Sequence, residues 1–225
     1  MNKLSLVLIL LFSFFTFSEA RNVTFEGKNF MLTLPDGYCD QTDKTLGKVY
    51  LKFIENNLSN MSGPQMTPIL VFTKCGQEFN FTGDNYPLGY VALQNVGFNF
   101  SQKETNNLFI EAMKDQSFID ELNKSTTKGM EKTFKDLGMR AKLKGMSLDV
   151  TGWLWGDEYV GIISTVNEGF IDGEVVKESV MAAITVVDKY QIAVYITNDQ
   201  NSDVDYEVLA YELAINGELL AKNNR

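Results

Sequence analysis

The sequence predicts an α+β fold: a single domain whose mainly antiparallel sheet is covered by helices, with a C-terminal helix packed on the sheet. Three observations predict it. Val175 to Val187 and Tyr190 to Thr197 are long β-rich runs joined at Asp188-Lys189, and both faces of this hairpin are apolar or small. A sheet covered on two sides requires that pattern. Thr45 to Leu58, Thr105 to Leu137 and Asp203 to Lys222 instead keep apolar residues at helical spacing. No proline-rich or low-complexity linker separates these stretches, so residues 21–225 are expected to form one domain.

Taken in order, the chain begins with Met1-Asn2-Lys3, an apolar run from Leu4 to Phe17, and Ser18-Glu19-Ala20. A basic start, an apolar core too short to span a bilayer and small residues before the cut define a secretory signal peptide over residues 1–20. The mature chain is therefore expected to start at Arg21 and to be exported, to the periplasm of a Gram-negative bacterium or outside the cell. Val23 to Glu26 and Phe30 to Leu34 read as short strands around Gly27, ending at the turn Pro35-Asp36-Gly37. A helix over Thr45 to Leu58 follows, then a loop to Pro68 and short extended pieces at Ile69 to Thr73 and Tyr90 to Phe100. The helical stripe from Thr105 to Leu137 is expected to break near Ser117 or Gly129, and Ser147 to Trp155 with Tyr159 to Val166 forms a hairpin around Gly156-Asp157-Glu158. Ser202 or Asp203 is the expected cap of the last helix.

Composition narrows the chemistry. The chain has no histidine, which removes Ser-His-Asp and Cys-His catalysis and histidine-ligated zinc. A net charge of -9 argues against nucleic acid or anionic lipid as partner, and no apolar run after the leader is long enough for an integral membrane segment. Two cysteines, Cys39 and Cys75, in an exported chain are expected to form one structural disulfide. Sequons begin at Asn22, Asn57, Asn60, Asn80, Asn99 and Asn123; they mark either a glycosylated secreted protein or simple asparagine richness.

No catalytic signature emerges, so the expected role is non-catalytic binding of another envelope or secreted protein, or self-association. The last helix carries two apolar faces. Val204, Val208, Tyr211, Ile215 and Leu219 lie on one, and Tyr206, Leu209, Leu213 and Leu220 lie almost opposite. Such a helix is either packed between the sheet and another helix of the same chain or docks a partner or second subunit, in which case the second set is the expected partner-binding face. An alternative is a carbohydrate-binding or carbohydrate-active protein. Trp153 and Trp155 alternate in phase on one strand beside Asp157 and Glu158, and paired indoles near carboxylates can stack on sugar rings. Asp199, Asn201, Asp203 and Asp205 have the alternate oxygen spacing of half a calcium loop, although Val204 and Ala210 stand where such a loop needs glycine and glutamate. Turn chemistry and helix capping account for the same residues, so no cofactor is expected, and calcium is the one this pattern would admit.

Two resemblances accompany these readings. The segment Phe30 to Cys39, ending Leu34-Pro35-Asp36-Gly37-Tyr38-Cys39, with a following helix, strand and Cys75-Gly76, resembles the start of uncharacterised exported bacterial proteins with a P-x-G-Y-C motif. The later order of paired long strands and a terminal helix is similar to PsbP-like sandwiches, in which helices cover an antiparallel sheet. Neither resemblance implies an activity or site residues.

Overall fold

A computed structural model describes residues 19–61, 65–77, 79, 87–138, 143–171, 174–199 and 205–225, in which the first two strands pair apart from the main sheet. β1 (Ala20–Phe25) and β2 (Lys28–Thr33) are antiparallel, and both residues between them, Glu26 and Gly27, have positive φ, 47° and 82°. Such mirror-image turns match the twist of the strands they join. Of the expected leader, residues 1–18 lie outside the described residues. Glu19 and Ala20 lie within them: the Glu19 carbonyl accepts from the Leu34 N–H at 2.9 Å and its carboxylate from the Asp40 N–H at 2.7 Å.

The main sheet contains β3 (Tyr38–Asp40), β4 (Thr67–Lys74), β5 (Leu88–Asn95), β6 (Leu143–Gly156), β7 (Gly161–Ile171), β8 (Glu174–Val187) and β9 (Tyr190–Asp199). Its order is β3-β4-β5-β9-β8-β7-β6, and every neighbouring pair is antiparallel. The β8–β9 hairpin is central. Its long apolar alternation is explained by burial on both faces, since Ile192, Val194 and Ile196 are fully buried along with Ala193 between them. β6, on the outside, is the most irregular strand; its register against β7 shifts at three places, where β4 shifts against β5 at one.

The helices among the described residues are α1 (Thr45–Asn60), α2 (Gln102–Ala112), α3 (Gln116–Asp136) and α4 (Tyr206–Asn224). The expected break in the second helical stripe falls at Met113 to Asp115, where Asp115 caps α3 by accepting from the Ser117 N–H. One face of the sheet is covered by β2 and α4, which bring Phe30, Leu32, Leu34, Leu209, Leu213 and Leu220 into one core cluster with Ile192, Val194 and Ile196. On the other face α1 and α3 meet through Phe53 and Phe134, 6.1 Å between ring centres, and Tyr90 stacks on Tyr195 at 4.5 Å. Burial, with Tyr195 and Tyr50 close by, pushes the Tyr90 phenol well above its ordinary range.

Three local devices fix α4 and α2 against the sheets. The Asn224 side chain accepts from the Met31 N–H at 2.7 Å and donates to the Met31 carbonyl at 2.9 Å, while Asn216 donates to the Thr33 carbonyl at 3.0 Å. These helix amides therefore bond the edge of β2 that faces away from β1. At Gly217 an added Cβ would stand 2.4 Å from Cγ2 of Val160, the residue before β7, and 3.2 Å from Oγ1 of Thr185 in β8, so only glycine allows α4 this close. Gln102 of α2 does for β8 what Asn224 does for β2: its amide donates to the Ile184 carbonyl at 3.0 Å and accepts from the Val186 N–H at 2.8 Å, just beyond the last β7 partner, Gly161.

Several boundaries differ from expectation. Residues 38–40 form a short strand where the sequence indicates only the end of a turn, and the extended piece after Tyr90 stops at Asn95. β6 and β7 are longer than their sequence runs. Asp205, not Ser202 or Asp203, caps α4, with its Oδ1 accepting from the Glu207 and Val208 N–H groups. The Cys39–Cys75 disulfide links β3 to the end of β4, with the Cα atoms 4.9 Å apart.

Candidate docking face on the C-terminal helix

α4 has one face in the core and one in solvent, and the structure reverses the expected assignment. Leu209, Leu213 and Leu220 are buried within the chain itself, and Tyr206 is partly buried with its hydroxyl donating to Ser179 Oγ at 3.0 Å. They are not a surface. The reason is the placement of Asn216 and Asn224, which must face β2, and of Gly217, which must face Val160 and Thr185 of β8; they carry the neighbouring leucines inward with them. The exposed stripe is Val208, Tyr211, Ile215 and Leu219, and Tyr211 is its most open member at 69% exposure. Each residue follows the last by three or four positions, so the side chains form one continuous ridge along the helix.

Charge is unequally distributed along this ridge. Asp205 and Glu207 occupy its N-terminal end, where carboxylates are favoured by the helix dipole. Lys222 and Arg225 occupy the other end. Lys222 pairs with Glu218 one turn back, and both cations lie over the Tyr159 ring, at 5.3 Å and 5.0 Å from its centre. Glu212, on the flank, has its carboxyl pushed up by burial; the Lys74 charge pulls part of that back, and Asp36 adds a lesser push upward.

The comparisons with known proteins add little to this geometry. No family model matches the chain, and no curated protein matches it either. Among solved structures it is similar to the cyanobacterial PsbP protein CyanoP from Synechocystis, at 8% identity and a TM-score of 0.39, over 90% of this chain and 94% of that one. It is also similar to a point mutant of the protein Mog1, at 10% identity and a TM-score of 0.33, over 92% and 93% of the two chains.

The other expected sites are only partly assembled. Trp155 is 46% exposed, but the register of β6 shifts between Trp153, opposite Ile163, and Trp155, opposite Ile162. Their partners are thus adjacent rather than alternate residues of β7, and the Trp153 side chain lies outside the described residues. Asp157 is engaged in its own turn, its Oδ1 accepting from the Tyr159 and Val160 N–H groups at 2.7 Å and 3.0 Å, and the Glu158 carbonyl accepts from Arg225. In the acidic run, Asp199 ends β9 opposite Glu178 and Asp205 caps α4; Asn201 and Asp203 lie outside the described residues. One feature was missed altogether. Phe100, Leu108, Phe109, Ala112, Phe118 and Val186 line an apolar groove of about 220 Å³ beside α2, with Phe98 exposed near its rim. The sequence signal for it was the cluster Phe98, Phe100, Phe109 and Phe118, which is split between the extended piece ending at Phe100 and the helical stripe from Thr105.

Proposed function

We propose that this chain is an exported, non-catalytic protein that docks another protein through the exposed ridge of α4. The observation that carries the reading is the ridge itself. Val208, Tyr211, Ile215 and Leu219 are all exposed on a helix whose opposite face already fills the core, so their apolar character serves nothing inside the fold. Contiguous exposed apolar surface with a charged rim is what protein interaction sites present. The leader over residues 1–20 and the Cys39–Cys75 disulfide support export.

Replacing Tyr211 and Ile215 together by aspartate tests this. The double variant is expected to keep the wild-type melting temperature and to lose a partner that cross-links to the ridge of the wild-type protein in its own host. An unchanged cross-linking pattern would overturn the reading. Mass measurement of the same material is expected to show a chain that begins at Arg21 with both cysteines oxidised.

A further inference from the structure

We propose that the occupant of the α4 ridge is a second copy of this chain, packed antiparallel about a two-fold axis; the proposal rests on the docking role of that ridge. The motivating observation is that the exposed pattern is nearly its own reverse. From the N-terminal end it runs Asp205, Val208, Tyr211, then Ile215, Leu219, Lys222. Turning a second helix end for end sets Val208 against Leu219 and Tyr211 against Ile215. The same operation sets Asp205 against Lys222.

Two-fold interfaces are isologous: one patch contacts its own copy, so the patch must be complementary to itself when reversed. The charges meet that requirement in only one orientation. Antiparallel packing brings the acidic end, Asp205 and Glu207, to the end where Lys222 and Arg225 outnumber Glu218, the partner of Lys222 within the chain, and also opposes the helix dipoles favourably. Parallel packing would place Lys222 on Lys222 and Asp205 on Asp205. An unrelated partner has no need of this symmetry.

The ridge is short, and the chain carries a net charge of -9, so two copies repel at long range. The dimer is accordingly expected to be weak and to form over micromolar concentrations rather than to be permanent.

Sedimentation equilibrium of the disulfide-intact chain over about 1 to 100 µM is the first measurement. A concentration-dependent dimer is expected, abolished by Tyr211→Asp and weakened about tenfold by Lys222→Glu, with the melting temperature unchanged in the Tyr211 variant. Orientation is read by mixing two single variants, Val208→Cys and Leu219→Cys, under mild oxidation. The mixture should give the 208–219 cross-link, and neither variant alone should cross-link efficiently. Cross-linking of each variant to itself, or a dimer indifferent to Tyr211→Asp, would overturn the antiparallel pairing. A wild-type monomer throughout would also overturn it. If such a monomer still cross-links to a different host protein through the ridge, the docking role survives without self-pairing; if it does not, both fail.

Discussion

Arg21 binds two carboxylates with one nitrogen, Nη1, at 2.7 Å from Asp40 and 3.2 Å from Asp43, and so ties the start of β1 to the end of β3 beside the disulfide. Burial alone would raise the Asp40 pKa. Hydrogen bonds from Thr42 and Arg21, with the Arg21 charge, outweigh it and hold the carboxyl below its ordinary value. A folded-state pKa below the unfolded one means that the contribution is present above the unfolded value, about 3.9, and is lost as pH falls through the folded value. Asp40→Asn is therefore expected to lower the urea midpoint at pH 7, with the gap to wild type closing as both proteins are titrated toward pH about 3. A gap independent of pH would show that the ionised pair is not what stabilises this corner. Glu212 has the opposite shift, so its ionisation works against folding as pH rises through the carboxylate range.

Between elements, the decisive contacts are made by single amides. Gln102 is 4% exposed and satisfies both Ile184 and Val186 where β7 has run out. Gln102→Leu keeps the bulk but leaves a buried carbonyl and N–H without partners, at a cost of about 2 to 4 kcal/mol, read from denaturant unfolding. A loss below about 0.5 kcal/mol would mean that water reaches these groups and that Gln102 does not anchor α2. The same residues explain what could be read in advance. The central hairpin, the helical stripes and the two cysteines were legible because hydrophobic period and cysteine count are local signals. The orientation of α4 was not, because both of its stripes are apolar and the choice between them is made by Asn216, Gly217 and Asn224. In sequence those three look like a solvated, weak part of a helix. Their role exists only once β2 and β8 are in place, and the shift of register between Trp153 and Trp155 is likewise a property of a strand pair.

For the molecule as a whole, one covalent link joins segments 36 residues apart, holding β3 on the sheet across the whole of α1. Removing it as Cys39→Ser with Cys75→Ser is expected to lower stability by roughly 3 to 4 kcal/mol on the chain-entropy estimate, measured by urea unfolding of the double variant beside the oxidised protein. A difference under about 1 kcal/mol would indicate that the reduced, unfolded chain is already compact there. The two rims of the sheet carry a different consequence. On one rim β3 is three residues long, and on the other β6 is interrupted by three shifts of register. A straight, unbroken rim is a template on which further chains can add strand by strand into fibres. Short and bulged rims deny that template, so crowded copies of this protein have little means of adding strand to strand at either rim of the main sheet.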